Sequence, residues 1–207
     1  MTEITQREQC IFEIARLEWE MFQKVYNTGG RASCQDDPDT FFKMRMSQWM
    51  VYSDELLHSY REDCQKAILE GRNLIFEKYT IMMETTYPAE YMNLKQYLPV
   101  YTEEQKECIE KIVQIHLKWD QEMYEKYPEI RQKGRVMTTK EDSPENGSSM
   151  ESYLRAELLT FSINTLELFE KETNDAILRG DNLLMETIKN ETAFYGYSSL
   201  EEAQNQK

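Results

Sequence analysis

At 207 residues, with 38 Asp and Glu against 24 Lys and Arg and a formal charge of −14, the chain can fill one core and is acidic enough to repel phosphate backbones and anionic membranes. Nucleic-acid and membrane partners are thereby excluded as expectations. Neither half forms a basic arm, the opening MTEITQREQC lacks a basic and then apolar leader, and no run of eighteen apolar residues occurs, so a soluble, cytoplasmic protein is expected. Cys10, Cys34, Cys64 and Cys108 are widely spaced, with no Cys-x-x-Cys pair, and read as reduced thiols rather than as a disulfide or zinc framework.

Gly and Pro are scarce, and apolar residues recur at intervals of three and four, which predicts an all-α chain. Thr5-x-x-Glu8 and Thr102-x-x-Gln105 fit capping boxes, so each opens a long helix, ending near Asn27 and near Tyr127. The segment TGGRASCQDDP, residues 28–38, then supplies a Gly pair, Arg31, Cys34 and two acids between helices. Asp37-Pro38-Asp39 and Ser143-Pro144-Glu145 each pair a capping oxygen with a first-turn proline, and are expected to open the second helices. Gly71 and Gly180 suit left-handed helix ends, and Asn73 and Asn182 can cap the helices beginning just beyond them. Pro88 and Pro99 bracket the connection between halves. Residues 132–150, QKGRVMTTKEDSPENGSSM, are rich in turn formers and are expected to be flexible; a short closing helix is expected after Ser199, with 203–207 frayed.

The chain also matches itself. Residues 42–78 overlay 151–187 without gaps, pairing AILEGRNL at 67–74 with AILRGDNL at 176–183, and Gly30-Arg31 faces Gly134-Arg135. One duplication of a three-helix unit explains these matches, so the expected fold is a single domain, 1–207, a bundle of about six helices in two pseudo-symmetric repeats, 5–87 and 102–193.

On helical wheels several polar residues fall among apolar ones. Glu18 lies at the centre of the first helix's apolar arc; His116 and Asp120 lie within that of the matching helix. Asp63 and Glu172 occupy corresponding inward places in the second helices, as do Ser53 and Ser162. A buried carboxylate is costly unless paired, hydrogen-bonded, protonated or metal-bound. Two arrangements would meet that cost. Either Glu18 and Asp120 pair with Arg31 and Arg135, or with Arg45 and the indole N–H groups of Trp19, Trp49 and Trp119; or Glu18, Asp63, Asp120 and Glu172 line a cation or phosphate–metal site.

Other chemistries fit less well. Glu55-x-x-His58 has di-iron ligand spacing, but both residues lie on a polar face and the corresponding positions hold Asn164 and Glu167. A magnesium-dependent helical pyrophosphatase would suit the inward acids but not their spacing. Cys34 near Arg31 could be a thiolate nucleophile, though Asp36 and Asp37 oppose it and no histidine is near. His116 with Asp120 could form an acid–base pair. No phosphate loop, nucleophile elbow or His-Glu-x-x-His occurs.

The stretch EWEMFQKVYNTGGRASCQDDPDTFFKMRMSQWMVY, residues 18–52, resembles an uncharacterised bacterial family of unknown function, found in anaerobes, whose domain covers essentially the whole chain. The resemblance implies no activity; it draws attention to Glu18, Trp19, Asn27, Gly30, Arg31, Cys34, Gln35, Asp37, Arg45 and Gln48. The function expected is therefore a binding or scaffolding module with a polar pocket between the repeats, formed by Glu18, Arg31, Arg45, Asp63, His116, Asp120, Arg135 and Glu172, with Cys34 and Asp37 in the adjoining loop. A metal-dependent hydrolase of phosphate-containing small molecules is the alternative. No cofactor is expected, a divalent cation being the exception, and a homodimer is compatible with this design.

Overall fold

The computed structural model describes residues 4–26 and 30–205, and Asn27 lies outside them. Among the described residues there are eleven α-helices and no strand: α1 (Gln6–Phe22), α2 (Pro38–Trp49), α3 (Asp54–Leu69), α4 (Leu74–Thr86), α5 (Pro88–Leu94), α6 (Glu103–Lys126), α7 (Pro128–Arg131), α8 (Met150–Leu158), α9 (Ile163–Arg179), α10 (Leu183–Phe194) and α11 (Leu200–Gln204). None of these helices is long and apolar enough to cross a membrane. The protein is all-α, with more and shorter helices than the six expected.

Two of the extra helices, α3 and α9, arise where a serine interrupts a periodic run, and two short ones, α5 and α7, open at Pro88 and Pro128. Ser53 accepts from Leu56 N and Ser162 from Thr165 N, so each caps a new helix instead of facing inward from the middle of one. Each cap carries a second lock from across the molecule. Glu172 on α9 accepts from the Ser53 backbone N–H (3.0 Å) and hydroxyl, while Asp63 on α3 accepts from the Ser162 backbone N–H (2.9 Å). Positions 109 apart play the same local roles elsewhere: Asn73 and Asn182 cap α4 and α10, and Gly71 and Gly180 take φ of 72° and 77°, closing α3 and α9 where an L residue would be strained.

Both capping boxes form as expected, on α1 and α6. The first helix ends earlier than expected, at Phe22, because the loop after it folds back on it. Gln35, buried in that loop, donates to the carbonyls of Phe22 (2.9 Å) and Val25 (3.0 Å). Arg31 ties the same loop together through Asp36 (2.7 Å) and the Gln35 carbonyl (2.6 Å). Residues 30–37 are therefore a helix-closing corner, satisfying carbonyls that the helix leaves orphaned.

The second corner differs. Ser143-Pro144-Glu145 opens no helix; Ser143 instead bridges to Gly147, and α8 begins at Met150 under a Ser149 cap. Hydrogen bonds tie this stretch to α4 and α8. Asp142 accepts from Thr85 Oγ1 (2.6 Å), Ser149 N (2.6 Å) and Ser152 Oγ, and the Met150 N–H donates to the Val136 carbonyl (2.8 Å). Ala203 and Gln204, placed in a frayed tail by sequence, belong to α11, with Ala203 buried; residues 206–207 lie outside those described.

α1 packs against α2, α3 and α4, and α6 against α8, α9 and α10. Three further pairs, α2 with α10, α3 with α9 and α4 with α8, join the two sets. Trp49, Tyr60, Phe161 and Phe169 fill the centre, Trp49 stacking on Tyr60 at 4.3 Å between centroids. Aromatic pairs of this kind add roughly 0.5–1.5 kcal/mol beyond the area that they bury.

Candidate functional site

Burying Glu18 in α1 demands a counter-charge, and α2 supplies it from outside the corner. Arg45 Nε donates to Glu18 Oε2 (2.7 Å) and Nη2 donates to Oε1, a two-pronged pair completed by the Tyr60 hydroxyl, which donates to Oε1 (3.0 Å). Neither Arg31 nor an indole takes this role; the Trp49 N–H has no partner among the described residues, and its ring lies beneath the Arg45 guanidinium. Arg45 then reaches a second acid. Its Nη1 lies 2.9 Å from Glu157 Oε1 on α8, and the same oxygen accepts from Lys78 Nζ of α4 at 3.2 Å. Gln48 donates to the other Glu157 oxygen at 2.7 Å, and Tyr153 Oη accepts from Lys78 (3.0 Å) and Arg45 (3.3 Å).

Two carboxylates and two cations, all less than a tenth exposed, therefore cancel at the centre of the protein. Burial alone would raise the Glu157 pKa, but Arg45 and Lys78 outweigh it and hold the carboxyl at about 2. Burial likewise opposes the charge on Arg45, and Glu157 and Glu18 together keep its pKa well above the usual range. Glu157, Lys78 and Tyr153 are the functional candidates that sequence reading missed. Apart from the short spacing of Tyr153 and Glu157 on one face of α8, nothing local marks them, because their partners lie more than seventy positions away.

A cavity of about 140 Å³ adjoins this cluster, lined by Gln48, Tyr153 and Glu157 on one side and by His116, Phe169 and Leu184 among others. His116 is 6 % exposed, packed edge-on against Trp119 and flat against Phe169, and its Nε2 has no hydrogen-bond partner among the described residues. Burial lowers its pKa to about 4, with Glu157 opposing only in part, so the imidazole is neutral at pH 7. The Tyr153 oxygen accepts from both cations, which leaves its own O–H proton for another acceptor. The cavity thus offers a neutral ring nitrogen and a phenol, on walls that are otherwise largely apolar.

The remaining sequence candidates do not converge there. Asp120, buried on α6, is clamped by Arg131 rather than Arg135, through Nη2 to Oδ2 at 2.6 Å and Nε to Oδ1. This occupies its oxygens, and no hydrogen bond to His116 forms. Arg135 is exposed, donates to the Ser148 carbonyl (2.9 Å) and lies over the Tyr153 ring. Asp63 and Glu172 serve the helix caps described above and line separate clefts of about 220 and 410 Å³. Cys34 is exposed, Asp37 caps α2 by accepting from Thr40 N, and Glu55 and His58 are both exposed. Among the described residues no three His, Cys, Asp or Glu side chains gather in a way that could hold a metal ion.

A second, larger hollow of about 480 Å³ opens beside the first. Met150 and Leu184 line both, and the outer groove continues past Met44, Ile188, Glu191 and Tyr195, with Asp120 and Arg131 also on its wall. The protein therefore has a small chamber and a wider groove that share the side chains of Met150 and Leu184.

No curated protein and no solved structure matches the chain. Residues 8–205 match a family described as Protein of unknown function (DUF4125), and over that span, nearly its whole length, the chain belongs to this family.

Proposed function

We propose that the protein is a small-molecule-binding module whose ligand occupies the chamber between two related halves. The observation that carries this reading is the unpartnered Nε2 of His116, a buried residue on the wall of a cavity that Tyr153 also lines. A buried polar atom without a partner costs roughly 1–3 kcal/mol, and a ligand or ordered water that completes it recovers that cost. The neighbouring charges are already cancelled, which favours a neutral occupant. A cavity near 150 Å³ is of the size that holds a benzene-sized molecule.

The contact scheme supports the related halves: exchanging α2 with α8 and α4 with α10 converts the α2–α10 contact into the α8–α4 one and returns α3–α9 to itself. The metal-dependent hydrolase finds no support, since its four carboxylates are engaged separately by Arg45, by Arg131 and by two helix starts.

Phenol, which both donates and accepts, is a suitable probe. Titration followed by calorimetry and by melting temperature is expected to show one phenol bound per chain, with weaker uptake in His116→Phe and none when Thr187→Met fills the chamber. Equal phenol binding by all three proteins, or none by the unaltered chain, would remove the basis for this reading.

A further inference from the structure

The outer groove contains a charge that the inner chamber does not use. Glu191 on α10 is half-buried in its wall, and no described residue gives its carboxylate a hydrogen bond or an ion pair. Burial alone raises its pKa, and no cation lies close enough to oppose it. The other charged groups on the groove are committed or remote: Asp120 and Arg131 close on each other, Arg135 donates to the Ser148 carbonyl, and Lys133 is exposed at the rim. The surroundings of Glu191 are apolar and aromatic, including Met44, Leu184, Ile188 and Tyr195. The Tyr195 ring already accepts one ammonium, that of Lys43, 4.7 Å from its centroid.

We infer that this groove binds an organic amine, with its ammonium on Glu191 and its apolar body along Met44, Leu184 and Ile188. An ammonium supplies the two things that the carboxylate lacks, a counter-charge and hydrogen-bond donors, and in a partly desolvated groove such a pair is stronger than on open surface. A volume of about 480 Å³ lies within the usual range for small-molecule sites. The inference does not depend on the inner chamber, because His116 does not line the groove.

Phenethylamine and phenylacetate share a body and differ in charge, so they test it directly. Calorimetry on the full chain at pH 7.5 is expected to show one phenethylamine bound, with phenylacetate at least about tenfold weaker. Glu191→Gln should reduce amine affinity about tenfold or more without lowering the melting temperature, since the carboxylate it replaces has no partner to orphan. His116→Phe should leave amine binding unchanged, which separates this site from the chamber. Phenylacetate binding as tightly as the amine would assign the groove to Lys133 and Arg135 and overturn the inference; so would undiminished amine binding in Glu191→Gln.

Discussion

Glu18 and Asp120 sit alike on α1 and α6, each buried in the apolar face of a long helix, yet they are neutralised in opposite ways. Asp120 takes its arginine from eleven positions further along the chain, at the end of α7, so its clamp is local and opens onto the groove. Glu18 takes its arginine from a neighbouring helix, and that arginine is shared with Glu157 and coupled to Lys78. The same sequence feature thus yields a self-contained corner in one place and a network spanning α1, α2, α4 and α8 in the other. A wheel shows that an acid is buried; it does not show how many elements depend on it.

The largest expected effect tests the network side. Glu157→Leu leaves Glu18 as the one carboxylate on Arg45 and leaves Lys78 with the Tyr153 oxygen but no counter-charge, and should cost about 3–5 kcal/mol in urea denaturation. Pairing it with Lys78→Met should recover part of that loss; no recovery would mean that the two side chains are not coupled.

Acid titration distinguishes the regions next. Because His116 is held neutral, with a folded pKa of about 4 against an ordinary value near 6.5, the unfolded chain binds the proton first. Its contribution to stability is intact above about pH 6.5, falls as pH drops toward 4, and changes no further below that, a loss of about 3 kcal/mol. Subtracting the stability of His116→Phe at each pH should isolate this slope, and an unchanged difference between pH 7 and pH 4.5 would contradict the burial assigned to the ring. Glu157, whose folded pKa is depressed to about 2, moves in a lower window, losing its contribution only as pH falls from about 4.5 toward 2.

The local clamp should be milder. Asp120→Leu frees Arg131 beside an open groove, where it can rehydrate, so about 1–3 kcal/mol is expected by the same denaturation assay. A cost equal to that of Glu157→Leu would erase the contrast. The smallest effects belong to the helix locks: Asp63→Ala and Glu172→Ala should each cost about 1 kcal/mol.

Much of the framework was legible in sequence because it rests on neighbours. Capping boxes, Asn73, Asn182 and the two left-handed glycines are decided within four or five residues, and their positions were read correctly. The inward placement of Glu18 and Asp120 followed from helical period. The helix starts at Ser53 and Ser162 were missed although Ser-Asp-Glu at 53–55 is itself a start signal, because an unbroken apolar rhythm runs across it. Arg131 was missed because Pro128 opens one more turn before the loop. Glu157, Lys78 and the chamber itself depend on which helices become neighbours, and no local pattern carries that information.

The crossed locks at Ser53 and Ser162 bear on how the molecule comes apart. Because each helix start is held by a side chain midway along the other helix, α3 and α9 cannot slide by a turn without releasing both anchors at once. Amide exchange at residues 53–57 and 162–166 should accordingly proceed in step, two distant segments opening as one unit.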